Sequence, residues 1–95
     1  MARVTTVVPV YNSAATVRET IASAIAQTYA DSEIIAVDDG STDSSGEILA
    51  SFGPRVRVVT QVNRGLSAAR NAGVRAGAGE LIALLDADDA WQPRF

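Results

Sequence analysis

Four short apolar runs rich in β-branched residues, at residues 4–10, 33–38, 56–60 and 80–85, punctuate the chain at similar intervals. Each is short for a helix and shows little polar alternation, so the four read as strands buried on both faces. Segments of helical character fill the intervals. In 16–28, Val17, Ile21, Ala24, Ile25 and Thr28 recur at spacings of three and four. Ser13 or Thr16 suits its start, and Thr16 with Glu19 fits a capping box. In 43–52, Ser44 lies three before Glu47, Ile48, Leu49 and Phe52 form the apolar side, and Gly53-Pro54 ends the pattern. The third helix, 66–76, is Ala-rich, contains Gly73 and ends among Gly77 and Gly79. Strands alternating with helices make βαβ units, whose crossovers are right-handed in nearly all cases. The expected fold is therefore α/β: a Rossmann-like three-layer α/β/α sandwich around a mainly parallel four-stranded sheet. At 95 residues the chain holds one modest core and one domain at most.

Composition narrows the chemistry. The chain has eight Arg but no Lys, eleven acids, no His and no Cys, with a formal net charge of -3. Disulfides, zinc ligation by Cys or His, a cysteine nucleophile, a His base and a lysine of a phosphate-binding loop are all excluded. Carboxylates, hydroxyls, amides and Arg must carry any activity. Mild acidity argues against a nucleic-acid partner, which calls for a basic face. Every apolar run breaks within about ten residues, short of the roughly 20 that span a bilayer. Val4 to Val10 includes Thr5, Thr6 and Pro9 and lacks a small-residue cleavage site after it, so it does not read as a signal peptide.

Ligands of such sheets bind outside the carboxyl ends of the strands. The residues to inspect are therefore 9–12, 38–43, 61–65 and 86–89. Charge is segregated: residues 31–47 hold six acids and no base, 55–75 hold five Arg and no acid, and 86–89 hold three acids. Asp38, Asp39, Asp86, Asp88 and Asp89 fall at strand ends. Two carboxylates about 4 Å apart repel by about 4 kcal/mol at an effective dielectric near 20, so crowding them calls for a cation or a shifted protonation.

If the backbone stays extended after the last strand, Asp86 and Asp88 face one side and Asp89 the other. Hard oxygen ligands without nitrogen or sulfur suit Mg²⁺ or Mn²⁺, and magnesium commonly completes its shell with substrate phosphates. The competing reading is an acidic helix start capped by Asp88 or Asp89. In 38–43, Gly40 suits a positive φ, and Ser41 or Asp43 suits a helix cap. Turn chemistry leaves two consecutive acids after a buried strand unexplained; a carboxylate can accept from the imide N–H of a uracil or from a ribose hydroxyl, so a nucleoside contact is an expectation for one of them. Tyr11 either stacks on a base, at about 1–3 kcal/mol, or packs on the sheet edge. Asn63-Arg64-Gly65 precedes the third helix, whose start favours an anion. Arg70 reaches a base or phosphate, offsets the acids, or forms an ordinary salt bridge.

Together, Val8-Pro9-Val10-Tyr11-Asn12, Val37-Asp38-Asp39-Gly40-Ser41-Thr42-Asp43, the run from Asn63 through Gly73, and Leu85-Asp86-Ala87-Asp88-Asp89 resemble the N-terminal nucleotide-binding half of family 2 glycosyltransferases, of the GT-A fold. Each segment is weak alone; four in this order, each at an expected strand end or helix start, cover essentially the whole chain. The resemblance implies a donor site for a nucleotide-diphosphate-sugar, most often a UDP-sugar, and inverting transfer to an acceptor hydroxyl. It implies that Pro9, Tyr11 and Asp39 hold the base, with Asp38 beside them and Arg70 by the nucleotide. Asp86 and Asp88 match the DxD motif that contacts ribose and a divalent metal, Mg²⁺ or Mn²⁺, with Asp89 an added ligand. The family's general base lies well beyond the DxD, in the half that binds the acceptor glycan, lipid or protein. The sequence ends at Phe95, six residues after Asp89, so no residue here is carried over as catalytic, and the general base is expected beyond Phe95. Residues 1–95 are thus expected to form a truncated GT-A domain, inactive alone and self-associating through exposed apolar surface. Cytoplasmic placement is expected, with membrane association left open for a longer parent.

Other classes fit less well. A receiver domain relies on a Lys that this chain lacks. A haloacid-type phosphatase carries its DxD after the first core strand, and here the motif follows the last. A dinucleotide-binding dehydrogenase needs G-x-G-x-x-G between strand and helix, whereas Gly77 and Gly79 precede a strand. The remaining alternative is a noncatalytic nucleotide-binding or structural α/β module.

Overall fold

A computed structural model describes residues 4–26, 32–77 and 81–85. In chain order the elements are β1 (Val4–Val10), α1 (Val17–Ala26), β2 (Ser32–Asp38), α2 (Ser45–Ala50), a 3₁₀ turn (Gly53–Arg55), β3 (Arg57–Thr60), α3 (Leu66–Ala76) and β4 (Leu81–Leu84). The four strands form one sheet in the order β3-β2-β1-β4, and every pairing is parallel. Register places Val10 beside Asp38 and Asp38 beside Thr60, so the carboxyl ends of β1, β2 and β3 are level. The chain steps from β1 through β2 to β3 and then returns to the far side of β1. That reversal is the topological switch at which open α/β sheets bind ligands.

The two central strands obey the expected burial. Val8, Val10, Ile34 and Ala36 point to one face and pack with Val17, Ile21 and Ala24 of α1, Leu49 of α2 and Val56. Ile35 and Val37 point to the other face and meet Ala69 of α3. Alternation along the strand thus feeds two cores, giving the α/β/α layering. α3 lies close to the sheet because its inner residues are small: a Cβ at Gly73 would collide with Val7 Cγ1 and come within 3.2 Å of Val37 Cγ2.

Pro9 is buried within β1, where a missing N–H ordinarily disrupts pairing. Val10 gives its carbonyl to Asp39 N–H, and Val7 gives its carbonyl to Leu85 N–H. Successive residues of β1 therefore address β2 and β4 in turn, and Pro9 faces the β4 side just past the last bond. The proline thus offers no N–H on that side, and Leu85 makes the last β1–β4 bond among the described residues.

Three expectations require correction. The edge strands are not buried on both faces: all of β4 is exposed, with Leu81 at 60%, Ile82 at 41% and Leu84 at 47%. No helix among the described residues covers these positions, and an apolar run does not reveal whether its strand is central or at an edge. Second, α2 is shorter than 43–52, and Ser44 makes no side-chain cap bond. Its φ of -83° and ψ of 11° lie outside the extended region from which an N-cap hydroxyl reaches forward. Asp43 Oδ1 instead accepts from Ser45 N–H at 2.9 Å, an Asx turn ahead of the helix. Third, before α1, Ser13 offers its carbonyl rather than its hydroxyl to Thr16 and Val17 N–H, while its hydroxyl donates to the Tyr11 carbonyl.

Candidate functional site

The loops leaving β1 and β2 are stitched together at the carboxyl edge. Asn12 adopts a left-handed φ of 48°, which Asn tolerates better than most residues. Its N–H donates to Ser41 Oγ at 3.0 Å, and its Oδ1 accepts from Thr42 N–H at 2.8 Å and Asp43 N–H at 3.3 Å. Ser13 N–H donates to Ser45 Oγ at 2.9 Å, and Ala14 N–H to Asp43 Oδ2 at 3.1 Å. The hydroxyl and N–H of Ser45, together with Ala14 N–H, hold the Asp43 carboxyl below its ordinary pKa against the opposing effect of burial. The residue before this clamp, Tyr11, is 50% exposed. Its ring is available at the strand end and is not part of the core.

Asp38 and Asp39 adjoin in sequence and diverge in space. Asp38, the last residue of β2, is buried, and its Oδ1 accepts from Ser41 N–H at 3.0 Å. It lines an open cleft of about 600 Å³ together with Ser41, Thr42, Asp43, Gly46 and Glu47. Asp39, 2% exposed, turns toward the loop between β3 and α3. Its Oδ1 accepts from Gln61 Nε2 at 2.8 Å and Arg64 N–H at 2.9 Å, and its Oδ2 from Gly65 N–H at 2.9 Å. Asn63 Nδ2 donates to the Asp39 carbonyl at 3.1 Å, and Gln61 N–H to the Asp38 carbonyl at 3.0 Å.

Burial alone raises the Asp39 pKa. The bonds from Gln61, Arg64 and Gly65 and the Arg64 charge outweigh it, and the carboxyl sits below its ordinary value. The anion favoured at the start of α3 is thus supplied partly from within the chain. Gly40 makes the approach feasible: its φ is 76°, and a Cβ there would lie 2.7 Å from Asn63 N.

Of the residues singled out in the sequence, Pro9, Tyr11, Asp38 and Asp39 gather at the ends of β1 and β2. Arg70 lies in the second turn of α3, half-buried, with its Nε enclosed. Asp86, Asp88 and Asp89 lie outside the described residues, and so does Phe95, the position beyond which the general base is expected. Among the described residues no three carboxylates gather into a metal-sized cluster. Gln61 has no role in the sequence reading beyond its place in the span 61–65. The clue was available: it is the first residue after β3 and stands level with the end of β2.

The family described as glycosyl transferase family 2 matches residues 5–95. An uncharacterised glycosyltransferase of Nostoc sp. is 39% identical over 95 residues, an alignment covering 96% of this chain and 30% of the relative. Among solved structures, residues 1–349 of S. aureus TarS in complex with UDP-GlcNAc align with a TM-score of 0.84 at 27% identity, covering 90% of this chain and 26% of that one. The mannosyltransferase PcManGT of Pyrobaculum calidifontis, in complex with GDP-Man and Mn²⁺, aligns with a TM-score of 0.81 at 32% identity, covering 90% and 27%. This chain thus spans about a third or less of the proteins it matches.

Proposed function

Because the chain belongs to glycosyl transferase family 2 and has the GT-A α/β fold, we propose that it binds a nucleotide-diphosphate-sugar, a UDP-sugar in particular, for inverting transfer to an acceptor hydroxyl. In that transfer the acceptor oxygen bonds to the anomeric carbon, the bond to the diphosphate oxygen breaks, and the hydroxyl proton passes to a base. Residues 1–95 are assigned the donor side, and the base and the acceptor-binding surface are assigned to residues beyond Phe95. The carrying observation is that an exposed aromatic residue, Tyr11, and two buried acids, Asp38 and Asp39, stand at the level carboxyl ends of the adjacent strands β1 and β2. A ring there stacks on a base, the carboxylates accept from the base and ribose, and Arg70 offers positive charge to the nucleotide.

Asp86, Asp88 and Asp89 are proposed as the ligands of Mg²⁺ or Mn²⁺. Three carboxylates within four residues, with no nitrogen or sulfur donor, suit a hard cation. When bound, such an ion neutralises the diphosphate as it leaves. The complex of PcManGT with Mn²⁺ supports the same choice. Self-association is assigned to the apolar face of β4, and light scattering across a concentration series tests it.

Calorimetric titration of UDP into the protein, with Mn²⁺ and then with EDTA, tests the donor site. Binding is expected with the metal and is expected to be lost on chelation. Asp88→Asn should weaken it while leaving the melting temperature nearly unchanged. A folded sample that shows no metal-dependent binding overturns the reading.

A further inference from the structure

We propose that Gln61 is a positioning residue that sets the base preference of the donor site, by occupying one acceptor position of the Asp39 carboxylate. The inference rests on the nucleotide-site reading above. An ionised carboxylate offers about four lone-pair positions, two on each oxygen. Among the described residues three are filled: Gln61 Nε2 and Arg64 N–H take both positions of Oδ1, and Gly65 N–H takes one of Oδ2. One position, on Oδ2, has no partner among the described residues.

A single open acceptor suits a base edge with a single donor. The imide of uracil is such an edge, with one N–H between two carbonyls. The guanine edge presents two adjacent donors, N1–H and the N2 amino group, which together need one open position on each oxygen. Here Oδ1 is full, so the second donor of guanine would be desolvated without a partner, which lowers affinity by roughly tenfold or more. Two of the three bonds to Asp39 come from the backbone and are fixed by the loop. The third is the Gln61 side chain, which makes this residue the adjustable element.

The test compares UDP and GDP dissociation constants in the presence of Mn²⁺ for the wild type, Gln61→Met and Gln61→Glu. The wild type should favour UDP over GDP by at least tenfold. Gln61→Met keeps the length of the side chain and removes the donor, so one Oδ1 position opens. Its preference for UDP should fall by about tenfold, with GDP binding tighter than to the wild type. A merely structural role for Gln61 would weaken both nucleotides alike, and that result overturns the proposal.

Gln61→Glu sets a second carboxylate against Asp39, whose other charged neighbour is Arg64. Like charge raises the pKa of such a pair. The terminal phosphate of UDP titrates in this range for every variant, so the comparison is relative: from pH 5 to pH 8 the UDP affinity of this variant should fall severalfold against that of the wild type, and parallel profiles also overturn the proposal. A wild type that binds neither nucleotide removes the donor-site reading and this inference together. A wild type that binds UDP, with an unchanged ratio in Gln61→Met, removes this inference alone.

Discussion

The two faces of the sheet are packed by different means. The face under α1 and α2 is filled with large aliphatic side chains: Val8, Val10, Ile21, Ile34 and Leu49. The face under α3 meets Ala69 and Gly73, and the helix comes close because its inner side is nearly bare. Volume on the first face supplies most of the hydrophobic stabilisation. Closeness on the second sets where α3 begins, and so where Arg64, Gly65 and Arg70 stand relative to Asp39. One side is therefore expected to govern stability and the other to govern the site.

Substitutions on the two faces separate these roles. The largest effect on stability is expected from Leu49→Ala, which empties a fully buried position: a loss of about 2–5 kcal/mol in denaturant unfolding, with UDP affinity of the folded fraction nearly unchanged. Gly73→Ala should cost less, about 1–3 kcal/mol from overpacking, yet weaken UDP binding severalfold because α3 must shift away from Val7. Equal effects on binding from the two variants would erase the distinction. Asn12→Ala removes the acceptor shared by Thr42 and Asp43 N–H and should cost about 1 kcal/mol. Its binding readout is the calorimetric affinity for UDP, expected to weaken as the loop that carries Tyr11 loses its anchor.

The smallest effect is in the acid range. Asp39 has a depressed pKa in the folded state, so its contribution to stability is present above the unfolded value near 4 and is lost as pH falls below it. Urea unfolding of Asp39→Asn should accordingly show a shallower loss of stability as pH falls below about 4 than the wild type.

Much of this architecture was legible because local pattern and tertiary role agree. β1 and α3 occupy the spans expected from the sequence, 4–10 and 66–76. There a β-branched run lies at the centre of the sheet, and an Ala-rich helix lies against it. The edge position of β4 was not legible, since Leu81 to Leu84 are as apolar as a central strand and only topology leaves them exposed. The strand-end acids were visible as a group, but the divergence of Asp38 and Asp39 was not. That outcome depends on Gly40 letting the Gln61–Gly65 loop approach, a long-range contact with no periodic signature. The clamp made by Asn12 was hidden for the same reason: its partners lie about thirty positions away.

The central claim is that the carboxyl edge of the sheet, where Asp39 ties β2 to the start of α3, is where the nucleotide binds. Amide NMR of the ¹⁵N-labelled protein titrated with UDP and Mg²⁺, then with trace Mn²⁺, tests it most directly. The expected result is shifts at Asn12, Ser41, Arg64 and Gly65, with paramagnetic broadening strongest along that edge and none at Thr5 or Gly77 at the opposite end. Perturbation centred on Thr5 and Gly77, or no shift in a folded sample, would contradict the account.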